Sequence, residues 1–366
     1  MPKRLIIDAR WLHSGIGRYV MNLLEGLKNR HGLTIHALVQ ACDADTLRPL
    51  CDTLTVVDLP IYGLREQFSV PWAARGADLL HVPHYNVPVM FRGDFVVTIH
   101  DLIHLLAPPS SRFLASRAYA WPLLRFATRN ARRIVTVSHF SKRQLVQRLG
   151  VTEERIAVIY NGVHPRFREF DIEEARERVK RRVSLSTPYL LYVGNLKPHK
   201  NIDQLLRAFS LLRGRKVGNH ELVIVGEGCH QKEYLEAMCT RLGILPYVRF
   251  IPHVDEEDLP CLYAAADLFV MPSLMEGFGY PVVEAMACGT PVVCSQAAAL
   301  PEIAGDAAQF FDPTSCEDLA AVVEKVLESA DLRGLLRCRG LDRARVFGWE
   351  ECGRNHAELY KTLIEI

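Results

Sequence analysis

The chain has 366 residues, of which 49% are hydrophobic and 23% charged, and a formal net charge of +2. That length exceeds one ordinary core and suits two domains of a soluble globular protein, while so small a net charge singles out no class of partner. No apolar stretch approaches the 18 or so residues of a membrane span, and the start, MPKRLIIDAR, meets Asp8 too soon for a signal peptide.

In chain order, short β-branched runs alternate with helical patterns. Strands are expected at 4–9, 34–39, 54–59, 78–83, 95–100, 133–138 and 156–162, with helices between several of them, as in RYVMNLLEGLKNR (18–30). Apolar runs with intervening helices indicate a parallel sheet buried on both faces. Residues 164–188 are charged and carry no strand signal; they read as an interdomain connection with a solvated helix. A second series of strands is expected at 189–195, 221–228, 247–253, 267–273, 290–295 and 307–313, and helices follow to the end. The fold class is therefore α/β, with two doubly wound domains. The first covers 1–168, the second covers 169–349, and the C-terminal helix 350–366 is free to pack back on the first. Ligands of such sheets bind beyond the carboxyl ends of the strands, so a cleft between the domains is the expected site.

The charge is unevenly placed: residues 1–170 hold 22 Lys+Arg against 13 Asp+Glu, and the remainder 22 against 29. Two domains with different partners would produce that asymmetry. Ten cysteines form no CxxC pair and mostly sit in apolar surroundings such as VVCS, which reads as buried, reduced thiols of a cytoplasmic protein. Residues 111–150 hold Arg112, Arg117, Arg125, Arg129, Arg132, Arg133, Lys142, Arg143 and Arg148, no acid, and the aromatics Phe113, Tyr119, Trp121 and Phe126. A basic, aromatic, amphipathic stretch suits an anionic membrane surface; a solvated helix with a buried aromatic face is the other reading. No nucleic-acid motif accompanies the charge.

The most informative stretch is MEGFGYPVVEAMACGTPVV (275–293). Its turn is followed by Pro281, which suits the first helical position, and Gly289 suits the helix stop. Gly277 and Gly279 then lie just before a helix N-terminus, where free N–H groups favour anionic oxygen. Glu276 stands at the mouth of the turn and Glu284 about one turn into the helix. Two such acceptors suit a polyhydroxylated, phosphorylated ligand; equally, Glu284 could complement the helix dipole while Glu276 is solvated. SGIGRYV (14–20) lacks the third glycine of a dinucleotide fingerprint; VIVGEG also follows a strand and raises an NAD-dependent oxidoreductase reading, but it too lacks the third glycine and a convincing downstream acid. His100, in TIHD, ends a strand as a site or structural residue. His100 and His104 have zinc-site spacing but no accompanying HExxH glutamate, so no metal is expected. His81 and His84 line the cleft or are structural.

EGFGYPVVEAMACGTPVV resembles the E-x7-E signature of the family 4 retaining glycosyltransferases, which have the GT-B fold of two Rossmann-like domains facing across a cleft. The resemblance implies that Glu276 lies beside the transferred sugar and Glu284 binds the nucleotide ribose. It also implies that Gly277, Phe278 and Gly279 offer backbone N–H groups to the donor. GNLKPHKN (194–201) matches the family's Gly-Arg-x4-Lys element. Lys200 then supplies one diphosphate-binding cation, and Asn195 replaces the usual arginine, a loss Lys197 could offset. Gly15 and Gly17 match its N-terminal glycine loop, His100 a histidine near the donor sugar, and His253 and Val254 a backbone border of the nucleobase. Glu276, His100 and Lys200 are the implied catalytic set. The implied reaction is metal-free and needs no cofactor. IDARWLHSGIGRYV and VGNLKPHKN look most like bacterial polysaccharide mannosyltransferases, which implies GDP-mannose as donor and a lipid-linked glycan as acceptor. A UDP-sugar donor, or a non-catalytic nucleotide-sugar-binding protein, is the alternative.

Overall fold

The computed structural model describes residues 3–13, 16–28, 32–106, 111–185 and 188–365; the side chains of 104, 106, 111–118, 229 and 230 also lie outside the description. The chain forms two compact units, Met1–Gly162 with Gly348–Ile366, and Val163–Phe347.

The first unit is built on β1 (Lys3–Asp8), β2 (Leu33–Val39), β3 (Thr53–Val56), β4 (Leu79–Val82), β5 (Phe95–Thr98), β6 (Arg133–Thr136) and β7 (Ile156–Val158). All pairs are parallel, in the order β3-β2-β1-β4-β5-β6-β7. Side chains alternate along β1, so Leu5 and Ile7 join one core and Ile6 the other. The first core takes Tyr19 and Leu23 of helix Gly17–Leu27 and Cys352, Ala357 and Tyr360 of the C-terminal helix Trp349–Ile364. The second takes Val70, Leu124 and Ala127. Both faces are covered, which is why the strands read as continuous apolar runs.

Hydrogen bonds through the first core join the C-terminal helix to the sheet. Tyr19 Oη meets Thr98 Oγ1 at 2.8 Å and His356 Nε2 at 2.9 Å, His81 Nε2 meets Thr98 Oγ1 at 2.8 Å, and Tyr360 Oη meets His81 Nδ1 at 2.7 Å. All five side chains are buried. Burial lowers the pKa of His81 well below the usual histidine value and that of His356 to about 4, so both rings are neutral near pH 7.

The second unit holds β8 (Tyr189–Val193), β9 (Glu221–Val225), β10 (Val248–Ile251), β11 (Leu268–Met271), β12 (Val292–Ser295) and β13 (Ala308–Phe311). These are again all parallel, in the order β10-β9-β8-β11-β12-β13. This is the doubly wound order in which the chain reverses direction between its first and fourth strands. Residues 164–188 differ from the expected solvated connection. Helix Ile172–Arg182 buries Ala175 and Val179, and Arg178 and Arg182 reach Asp258 at 2.7 and 3.3 Å. The run of charges hid two small apolar positions one helical turn apart.

The cysteines are free where described: Cys239, Cys261, Cys288, Cys294 and Cys352 are buried, but Cys42 and Cys338 are exposed. Among the described residues, no helix is long and apolar enough to cross a membrane.

Candidate functional site

In the second sheet the reversal falls between β8 and β11, so the loops after these two strands flank its switch point, the usual ligand position. The loop after β8 forms a short helical turn at Pro198–Lys200, and Asn201 follows in the left-handed region at φ 59°. Asn201 Nδ2 donates to the carbonyls of Pro272 at 3.1 Å and Pro313 at 2.8 Å, and Leu274 N–H donates to His199 O at 2.8 Å. These bonds fix the β8 loop against the one after β11.

The result is an ion pair between residues 76 positions apart: Lys200 Nζ lies 2.6 Å from Glu276 Oε1. Only 12% and 10% of the two side chains are exposed, so the pair is held largely out of water. Glu276 is anchored from behind as well, its carbonyl accepting from Ala299 N–H at 3.3 Å. Gly279 then adopts φ 97° and caps helix Tyr280–Ala287; a side chain there would strain the backbone and its Cβ would meet Leu300 Cδ2. The helix thus starts at Tyr280, one residue before Pro281, and Gly289 at φ 76° follows its end.

Glu284 is almost wholly buried, and its Oε2 accepts from Tyr263 Oη at 2.9 Å. Phe278 turns inward, its ring edge-on to Tyr280 and Phe347, so only its backbone is left to face a ligand. Asn195 and Lys197 are both exposed, with Lys197 N–H 3.4 Å from Asn195 Oδ1. His253 is exposed beside Asp255, while Val254 is buried. The structure therefore brings Lys200 to Glu276, and leaves Asn195, Lys197 and His253 as open surface groups.

The other candidates belong to the first unit. Gly15 lies outside the described residues. Gly17 begins helix Gly17–Leu27, and a Cβ on it would fall 1.9 Å from Leu12 O, so local packing alone demands glycine there. His100 Nε2 donates to Pro83 O at 3.1 Å while the Tyr19 ring packs edge-on at 4.7 Å. Burial lowers the His100 pKa to about 4. The neutral ring carries its proton on Nε2, because the partner is a carbonyl, and Nδ1 is left as an acceptor. His81 is a structural member of the buried network, and His84 stacks on Trp11 at 4.4 Å. The side chain of His104 lies outside the description. His13, Cys42 and Asp43 bring ligand-type atoms within 4.8 Å of one another, but His13 Nε2 already lies 2.8 Å from Asp43 Oδ1.

Three groups escaped the sequence reading. Tyr263 as the partner of Glu284 left no local signal. Arg10, which pairs with Asp8 and Glu66, did leave one: two opposite charges at the end of an otherwise apolar strand, RLIIDAR. Tyr19 and Tyr360 were hidden among other core aromatics.

Two family models cover nearly all of the chain: glycosyl transferases group 1 matches residues 173–339, and glycosyltransferase family 4 matches 13–167. The O-antigen chain mannosyltransferase B of Escherichia coli is 32% identical over 80% of this chain and 77% of its own. The chain is a family 4 glycosyltransferase. A longer relative, the serotype-specific mannosyltransferase WbdA of Escherichia coli, is 28% identical over 78% of this chain, which spans only 35% of it. The Anabaena protein HepE, solved with UDP and glucose, matches this glycosyltransferase at a TM-score of 0.80 and 20% identity over 99% of this chain and 100% of its own. That likeness shows the fold, the two Rossmann-like domains of GT-B. In the glycosyltransferase, the paired Lys200 and Glu276 and the buried Glu284 all lie within the range matched by the group 1 model.

Proposed function

We propose that this glycosyltransferase is a retaining mannosyltransferase of polysaccharide assembly, moving mannose from GDP-mannose to a lipid-linked glycan. The observation that carries the reading is the Lys200–Glu276 pair beside the switch point of the second sheet. A shielded cation is suited to two pyrophosphate charges, and a carboxylate at the same spot to sugar hydroxyls. On this reading the donor phosphate displaces Glu276 from Lys200, and Glu276 turns to the sugar. Glu284 accepts from the ribose, with Tyr263 holding its second oxygen. The backbone of Gly277, Phe278 and Gly279, at the start of helix Tyr280–Ala287, assists the anion. His100 contributes as a neutral imidazole. As the bond from the sugar's anomeric carbon to phosphate breaks, its electron pair leaves with GDP; the acceptor oxygen bonds to that carbon and its proton passes to the leaving phosphate. Charge stabilisation is then the main protein contribution. The names of the relatives support mannose and polysaccharide assembly.

The test is calorimetry and turnover with GDP-mannose and a panel of UDP- and ADP-sugars. GDP-mannose should bind and turn over preferentially, and Glu284→Ala should weaken GDP binding about tenfold or more, the cost of one lost charge-assisted hydrogen bond. Turnover of UDP-sugars alone would refute the donor, and binding without any turnover would refute the enzyme.

We also propose that the first unit touches the cytoplasmic membrane through 111–150. In helix Ser111–Asn130, Leu124 and Ala127 are buried while Trp121 is exposed beneath Arg125, 5.6 Å away. Arg132 and Lys142 pair with Asp94 and Glu153, but Arg129, Arg143 and Arg148 are exposed with no acidic partner among the described residues. The side chains of Arg112, Phe113 and Arg117 lie outside the description. Elsewhere on this unit, Phe68, Trp72, Met90, Arg75 and Arg92 line an exposed groove. Changing Arg125, Arg129, Arg143 and Arg148 to Glu should cut sedimentation with phosphatidylglycerol vesicles several-fold at low salt. Unchanged sedimentation would remove the membrane from the proposal.

A further inference from the structure

The first sheet has its own switch point, between β1 and β4, and the proposed donor chemistry uses none of the side chains gathered there. Arg10 folds back on the end of β1, its Nε and Nη2 donating to the two Asp8 oxygens at 2.7 and 2.8 Å. Nη2 also reaches Glu66 Oε2 at 3.3 Å. Glu66 Oε1 accepts from Asn86 Nδ2 at 2.6 Å, and Asn86 Oδ1 accepts from Tyr119 Oη at 2.8 Å. Asp8, Arg10, Glu66 and Asn86 are all buried, yet Arg10 Nη1 has no partner among the described residues. Burial raises the Glu66 pKa, against the pull of Asn86 and Arg10. A chain of buried polar groups with one donor unspent is costly as mere packing.

A cluster of rings adjoins this chain. Trp11 and His84 lie 4.4 Å apart and His84 and Tyr85 4.0 Å, and Tyr62 sits edge-on to Trp11 at 5.6 Å and to Tyr119 at 5.9 Å. The inner rings are shielded, but Tyr62 is 49% exposed and Tyr119 44%. Tyr62 also holds φ 69°, a conformation a bulky residue adopts only when its surroundings impose it. Such strain gathers at functional positions.

We infer that Tyr62 and Tyr119, backed by the Asn86–Glu66–Arg10 chain, form a subsite for a hexose ring of the acceptor glycan. A hexose presents a face of C–H bonds, which lies well on an aromatic ring, and a rim of hydroxyls, which needs fixed acceptors and donors. The exposed rings supply the first. The exposed Tyr119 hydroxyl, fixed by its bond to Asn86 and through it to a buried acid, supplies an acceptor for the second without further ordering. The inference rests on the reading of the protein as a transferase acting on a glycan, and it names the part of the chain that holds the acceptor.

The test is saturation-transfer NMR of the full chain with a linear mannotriose and no donor. The sugar protons should receive saturation from aromatic protons, and the Kd should rise at least tenfold in Tyr62→Ala and in Tyr119→Ala. Tyr62→Phe should bind as the native chain does, and so should Leu64→Ala, a control at a neighbouring surface residue; thermal melts of all four variants identify any that fail to fold. No saturation transfer to the native chain, or an unchanged Kd in both alanine variants, would overturn the subsite. Hydrolysis of GDP-mannose by the native chain needs no acceptor and tests the donor reading alone, so the two failures are separable.

Discussion

Glu276→Gln is expected to lower kcat roughly a hundredfold or more, the usual cost of removing one preorganised electrostatic group from a reacting centre. The substitution keeps the shape of the side chain and a hydrogen-bond acceptor for Lys200 Nζ, now 2.6 Å from Glu276 Oε1. It removes only the charge. The KM for the sugar nucleotide should change little or fall, because Lys200 no longer has to leave a carboxylate before meeting pyrophosphate. Lys200→Ala should do the reverse and raise that KM, since the cation is lost from ground and transition states alike. Steady-state kinetics on both variants, with melting curves to check folding, decide the matter. A kcat within threefold of the native value for Glu276→Gln would show that the pair is structural.

Gly353→Val should be strongly damaging to the first unit. The C-terminal helix Trp349–Ile364 and helix Gly17–Leu27 meet backbone to backbone at Gly353 and Gly26. A Cβ on Gly353 would lie 2.2 Å from Gly26 O, and backbone cannot give way as a flexible side chain can. Separating the helices would also loosen the Tyr19–His356 and Tyr360–His81 hydrogen bonds. Overpacking of this kind costs about 3 kcal/mol. For a unit of this size that is a fall of roughly 6–12 °C in melting temperature, readable by calorimetry. The second unit should melt as before, because its core includes no residue of this helix. A melting temperature within about 2 °C of native would refute the close contact.

Sequence reading worked best where a local pattern has one physical cause. Each expected strand is present: inner strands such as β5 and β11 are buried along their whole length and so are largely apolar, while the half-exposed edge strand β3 was legible from its β-branched residues. Strand ends were read too long: LTVVDL was expected to run to residue 59, but β3 is Thr53–Val56, since an apolar residue that leaves the sheet can stay buried, as Val57 does. The turn with Gly279 and the stop at Gly289 were legible because left-handed backbone favours glycine. Local pattern misled at residues 164–188, where charge masked a buried helix face.

The sequence by itself determined the class of fold and the motif of the family, for both are written in periodicity and in spacings of a few residues. It could not show which charges would meet. Lys200 finds Glu276 across 76 positions, Glu66 finds Arg10 across 56, and Tyr360 finds His81 across 279. Such contacts exist only once parallel strands bring distant loops together or a helix packs back on the face of a sheet, and a buried polar group takes whatever partner that packing provides. Tertiary structure therefore decided the ionic and hydrogen-bonded arrangement of each unit, while local pattern decided the elements that carry it.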